Sequence, residues 1–262
     1  MRFVLLAVAF LTAATGRAAA QAASPAGAEV PVDLELVLAV DVSGSVDPSE
    51  ARLQRDGYVA ALTDPEIIHV IRGGFLGRIV VTYVEWAGPA TQRTVVPWRV
   101  IADEASALEF VDLVKEAPFR SARGTSISGA IDFGATLFEP NGFDGIRRVI
   151  DVSGDGVNNG GRDVRAARDD AVARGITING LPVMPGSEQA DGRPQGLSAG
   201  GWTPPDLDLY YERNVIGGPG AFMVPAHSFE DFGRAVKAKL VREIAGGPAS
   251  GKAASGPVRP VR

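Results

Sequence analysis

Asp41, Ser43 and Ser45 occupy alternate positions in Asp-Val-Ser-Gly-Ser. In an extended loop, alternate side chains point to one side, so one carboxylate and two hydroxyls can converge there. Gly44 lets the backbone turn tightly between them. Thr125, in Arg-Gly-Thr-Ser-Ile-Ser, and Asp155, in Val-Ile-Asp-Val-Ser-Gly-Asp-Gly, add two further oxygen-bearing positions. Carboxylate and hydroxyl oxygens suit a hard divalent cation, Mg²⁺ first, with Mn²⁺ or Ca²⁺ as alternatives. The chain has no cysteine and only two histidines, His69 and His227. Thiolate zinc, iron–sulfur clusters, thiol nucleophiles and a histidine-rich metal site are therefore excluded. Each residue alone has an ordinary reading: Asp41 as a turn former, Ser43 and Ser45 as turn residues, Thr125 as a helix N-cap and Asp155-Gly156 as a turn. Their joint order and placement make the signal.

The elements that must position them follow from hydrophobic patterning. Residues 34–40 form a nearly continuous apolar run, expected of a central strand buried on both faces. Asp47, Pro48 and Glu50 mark a helix start, with Leu53, Val59 and Leu62 on its buried face. Strands are expected over 79–86 and 94–100, joined by Gly88-Pro89 as an antiparallel edge hairpin. Helices near 104–116 (Leu108, Val111, Val114) and from Ser126 (Ile127, Ala130, Ile131) precede a strand over 148–152. A helix near 162–174 leads to a strand over 176–184. A long Gly/Pro/Ser-rich loop, 185–205, carries Glu188 and Asp191 and is expected either to form the rim of a partner site, to place one of these acids on the ion, or to be a solvated insertion without a role. A short helix near 206–215, a strand near 221–225 and a final helix with a Ser228/Asp231 capping box complete the pattern. This alternation predicts an α/β fold: a doubly wound, mostly parallel open sheet with helices on both faces and one antiparallel edge strand. Ligands in such sheets collect beyond the carboxyl ends of the strands, where Asp41 and Asp155 fall.

Asp-x-Ser-x-Ser, a distant Gly-Thr and a later Asp-Gly resemble the metal-ion-dependent adhesion site of von Willebrand factor A (VWA) domains. The resemblance covers about residues 33–244, and phrases such as Val-Thr-Tyr-Val-Glu-Trp are similar to an uncharacterised bacterial subgroup of exported members. It implies a Rossmann-like VWA fold, with Asp41, Ser43, Ser45, Thr125 and Asp155 as ligands of Mg²⁺. It also implies a protein partner that donates an acidic residue to the metal's open position. The family usually has Ser or Thr before the third-loop Asp; here Gly154 stands there.

Residues 1–20 read as a signal peptide: Arg2, an apolar run from Phe3 to Ala14, and Ala18-Ala19-Ala20 before Gln21. The run is shorter than the roughly 20 residues of a membrane span, so a periplasmic or secreted protein without a transmembrane segment is expected. Residues 21–32 form a linker and 245–262 a flexible Gly/Pro/Ala/Ser-rich tail. With a net charge of −5 and no Lys/Arg-rich run, a nucleic-acid partner is not expected. No enzyme site is evident. A Mg²⁺-dependent phosphotransfer hydrolase with Asp41 as nucleophile would need a second acid two residues on, where Ser43 stands. A third reading is a structural envelope domain whose metal only staples the loops. Glu85 is expected on a solvated rim, Asn158, Asn159 and Asp163 as turn formers, Tyr210 and Tyr211 as packing residues, and both histidines on the surface or satisfied in the core.

Overall fold

The computed structural model describes residues 29–184 and 206–246, with the short strands Leu197–Ser198 and Gly201–Trp202 between them. The signal segment, the tail beyond 246 and the remainder of the 185–205 loop lie outside the described residues. Glu188 and Asp191, placed on that loop by the sequence, lie outside them too.

The central sheet has five strands in the order β4-β3-β2-β6-β7, where β2 is Glu35–Asp41, β3 Ile79–Trp86, β4 Gln92–Ile101, β6 Arg148–Gly154 and β7 Ile176–Pro182. All neighbours are parallel except β3 and β4, which form the expected antiparallel edge hairpin. A two-strand parallel ribbon, β1 (Val30–Val32) with β5 (Phe143–Gly145), was not apparent from the sequence, since each strand has only three residues. The segment near 221–225 makes only isolated bridges, Met223 to Gly180 and Ala226 to Val183, in place of the expected strand. β8 (Leu197–Ser198) and β9 (Gly201–Trp202) form a small antiparallel pair.

Burial on both faces explains the apolar run of β2. Leu34, Leu36, Leu38 and Val40 pack on one side against α1 (Pro48–Leu62), α2 (Pro65–Arg72), α3 (Glu104–Glu116) and α7 (Phe232–Ala245). Val37 and Ala39 pack on the other against α4 (Ile127–Thr136), α5 (Val164–Ala173) and α6 (Leu207–Tyr210). Each fully buried Leu or Val contributes about 1.5–3 kcal/mol relative to leaving it in water. Where α1 crosses α7, a Cβ on Gly57 would lie 2.8 Å from the Phe232 ring, so glycine sets that approach.

α1 starts as the sequence indicates: Asp47 accepts from the Ser49 and Glu50 amides, and Glu50 Oε2 accepts from the Asp47 amide at 2.8 Å. Leu62 is buried and Val59 packs on the core as expected, but Leu53 is exposed, and Ala51, Gln54 and Tyr58 turn inward as well. Leu108 is also exposed, while Val111 and Val114 are buried as expected. Ser228 accepts from the Asp231 amide, but the Asp231 carboxylate reaches the His227 amide and α7 begins at Phe232. The capping box is thus displaced into the turn before the helix. Both histidines are exposed. Among the described residues, no helix is long and apolar enough to cross a membrane.

The register brings the strand ends together. Asp41 lies opposite Trp86, and Val40 lies opposite Ser153. The loops after β2, β3 and β6 therefore leave from one edge of the sheet.

Candidate metal centre

Asp41 ends β2, fully buried, and its Oδ1 accepts the Ser43 amide at 2.7 Å. Ser43 Oγ lies 2.9 Å from Ser45 Oγ, and Ser45 Oγ donates to Asp155 Oδ1 at 2.7 Å. A chain of side chains thus runs from the first loop to the third. Gly44 does not adopt the left-handed conformation, so the turn between the serines owes nothing to glycine's special freedom.

Thr125 enters through the backbone. Its N–H donates to Asn159 Oδ1 at 2.9 Å, and its carbonyl accepts the Asn159 amide at 2.8 Å. The same segment is tied to the first loop, where the Ala122 amide donates to the Val42 carbonyl at 3.1 Å. The N-cap of α4 is Ser126, whose Oγ accepts the Gly129 amide; this corrects the assignment of that role to Thr125. Asn158 braces the third loop further, accepting the Ser128 amide at 2.9 Å while its own N–H donates to Tyr210. Asn158 and Asn159 are therefore inter-loop clamps, Asn158 also bonding the Arg162 carbonyl within its own loop, while Asp163 is the N-cap of α5. Single-sequence reasoning missed the clamps because Asn-Asn before Gly-Gly is also a good turn sequence.

The centre is buried and acidic. Asp41 Oδ2 is buried without a hydrogen-bond partner, as is Trp86 Nε1 beside it. Burial pushes the Asp41 carboxyl well above the usual carboxylate range, and the Asp155 carboxylate pushes it further. Burial likewise raises Asp155, against the opposing bond from Ser45. Among the described residues no Lys, Arg or His pairs with either acid. An unpaired buried charge is costly, and the Asp155 carboxylate raises that cost at Asp41.

Gly154 is spatially required. A Cβ there would lie 2.9 Å from Asp41 Oδ2, 3.0 Å from the Tyr211 hydroxyl and 3.1 Å from Trp86 Cζ2. Tyr211 stands where α6 widens into a π turn over Tyr211–Val215, and its hydroxyl reaches the back of the site. Such local widening often accompanies functional sites. Tyr211 is thus a site neighbour that the sequence suggested only as a packing residue.

Glu85 is buried, which corrects its expected place on a solvated rim. It is held between Arg55 at 2.5 Å and Arg93 at 2.6 Å. Both arginines also bond backbone carbonyls of 117–118, so Glu85 anchors the segment leading toward Thr125.

Among the described residues no group of three His, Cys, Asp or Glu side chains could hold an ion. The arrangement is instead two carboxylates linked through Ser43 and Ser45, with the Thr125 backbone tied to the third loop beside them; carboxylate and hydroxyl oxygens are the donor chemistry of a hard cation. The unpartnered Asp41 oxygen and the uncompensated charge fit such an ion.

A family model described as "Protein of unknown function (DUF1194)" matches residues 31–248. The chain belongs to the DUF1194 family. No curated protein matches it in sequence. Solved structures share the fold of this DUF1194 member. Proximal thread matrix protein 1 from the mussel byssus, with a zinc-occupied MIDAS motif, is 14% identical with a TM-score of 0.52, over 83% of this chain and 47% of that one. The pilus adhesin SpaC from Lactobacillus rhamnosus GG is 14% identical with a TM-score of 0.54, over 82% and 31%. A von Willebrand factor type A protein from Catenulispora acidiphila is 13% identical with a TM-score of 0.50, over 82% and 42%. The chain spans less than half the length of each of these. At these identities the likeness is one of fold: a VWA-type α/β domain.

Proposed function

We propose that this chain is an exported binding module whose recognition of a protein partner depends on a divalent cation. Asp41, Ser43, Ser45, Thr125 and Asp155 would hold Mg²⁺, with Mn²⁺ or Ca²⁺ as substitutes. The observation that carries the reading is the buried, unpartnered Oδ2 of Asp41, within the electrostatic reach of Asp155 and, among the described residues, with no cationic side chain paired to either acid. A bound divalent cation supplies the missing positive charge and an exchangeable coordination position. Ser43 and Ser45 relay the geometry of the first loop to Asp155, and Asn159 holds the Thr125 segment against the third loop. An acidic side chain from the partner would complete the coordination, because a carboxylate matches a hard cation. The zinc-occupied motif of the mussel protein supports the metal-dependent part of this reading by analogy of fold. A hydrolase reading gains nothing from the site: Ser43, where a general acid would stand, bonds Ser45 and Asp41. Export rests on the basic start and short apolar run of residues 1–20.

Calorimetry with MgCl₂, MnCl₂, CaCl₂ and ZnCl₂ tests the metal. Binding to the wild type, lost in Asp41→Ala with the fold retained, supports the reading; equal binding in both proteins refutes the site. A pull-down from envelope extract with Mg²⁺ or with EDTA tests the partner. Capture that EDTA leaves unchanged refutes metal-dependent recognition.

A further inference from the structure

Away from the metal centre, α7 and β6 share a buried ionic cluster. Lys239 is 0% exposed, Asp151 1% and Glu243 1%. Lys239 Nζ lies 2.7 Å from Asp151 Oδ1 and donates to Glu243 Oε2 at 2.7 Å. Asp151 Oδ1 nevertheless has no hydrogen-bond partner, so the nitrogen meets that carboxyl group away from the line of a hydrogen bond. Glu243 is fixed on its other oxygen by Asn179 Nδ2 at 2.7 Å, and the Phe222 ring centroid is 5.2 Å from Nζ. One ammonium and two carboxylates are thus almost wholly buried. Such clusters pay a heavy desolvation penalty, which neutralisation would remove.

We propose that Lys239 and Asp151 condense in the folded chain to an isopeptide bond, with Glu243 carrying the protons. The reacting state has Asp151 protonated, Glu243 ionised and Lys239 as ammonium. The ammonium passes one proton to Glu243, and the free Nζ attacks Asp151 Cγ. The C–N bond forms, the nitrogen releases a second proton, and the Asp151 C–OH bond breaks as the hydroxyl takes a proton and leaves as water. An amide, one water and a neutral Glu243 remain, so atoms and charge balance and no co-reactant is needed. Burial favours the reacting state, since it pushes Asp151 up to about 6. Burial also exchanges an ion pair for an uncharged amide, which costs less to keep from water. The product ties the centre of β6 to α7 covalently in a chain that has no cysteine for a disulfide.

Peptide mapping of the purified full-length mature protein tests this. Trypsin should release a branched peptide joining 149–162 to 238–242, and the intact protein should be one water lighter than its sequence. Glu243→Gln should have the full sequence mass and no branched peptide. Asp151→Asn should give the same branch with loss of ammonia in place of water. Asp155-Gly156 can also shed water by cyclising, so the branch decides. Ordinary cleavage after Lys239 in the wild type, or a lighter mass without the branch, overturns the proposal. A branch that persists in Glu243→Gln overturns the role given to Glu243.

Discussion

Gly154→Ala is the smallest change that tests the packing behind the centre. The added methyl would sit 2.9 Å from Asp41 Oδ2, 3.0 Å from the Tyr211 hydroxyl and 3.1 Å from Trp86 Cζ2. All three groups belong to fully buried residues, so none can swing into solvent to make room. Overpacking of this kind costs about 1–3 kcal/mol. Removing a glycine also restricts the unfolded chain, which offsets roughly 0.4–1 kcal/mol. A net loss of about 1–2 kcal/mol is expected, a fall in Tm of roughly 2–8 °C for a domain of this size. Because Asp41 Oδ2 is one of the displaced atoms, Mg²⁺ affinity should fall about tenfold, equivalent to about 1.4 kcal/mol. Urea denaturation and calorimetry on the same samples read both effects. Tyr211→Phe in the alanine background removes one of the three clashing atoms and should recover part of the lost stability. A Gly154→Ala protein as stable as the wild type, with unchanged metal affinity, would refute the reasoning.

Other substitutions probe the supports. Asn159→Ala removes the acceptor of the Thr125 amide and should cost about 1 kcal/mol in urea unfolding, with weaker Mg²⁺ binding by calorimetry. Glu85→Ala leaves Arg55 and Arg93 without their shared counter-charge, and a loss of about 3 kcal/mol is expected in the same unfolding assay. Burial pushes Glu50 up to about 7, so the folded state holds that proton more tightly than the unfolded one. Its contribution to stability is present below about pH 4.5 and is lost as pH rises toward 7. Glu50→Gln should flatten that part of the metal-free stability profile, read as urea midpoint against pH. In the wild type, saturating Mg²⁺ at a hundred times Kd should add about 2.7 kcal/mol of stability, and Asp41→Ala should abolish the gain.

The parallel sheet was legible because β2 and β3 are mostly apolar runs, as expected of strands covered on both faces. The positions of Asp41 and Asp155 followed from where the apolar runs of β2 and β6 stop. Less legible was everything set by approach between distant segments. Leu53 looked like a buried-face residue, but the inward face of α1 is built from Ala51, Gln54 and Tyr58 because α7 packs so close at Gly57. Glu85 looked like rim until its two arginines, one from α1 and one from β4, were brought to it by the fold. Tyr211 carries no local sign of its reach, since its hydroxyl meets Gly154 across 57 residues of chain.

Arg147 lies immediately before β6, and its carbonyl accepts the amide of Glu35, the first residue of β2. Its guanidinium binds the Glu243 and Ile244 carbonyls at the end of α7, at 2.7 and 3.1 Å. One residue therefore touches both the start of β2, through its backbone, and the end of α7, through its side chain. Closely spaced ends of this kind favour circular permutation and insertion into a host loop. A short linker could join them, with new termini opened at Gly73-Gly74 beside Asp33, so that Thr125 and Asp155 would precede Asp41, Ser43 and Ser45 in the chain. The domain is thus suited to being spliced as a cassette into another scaffold.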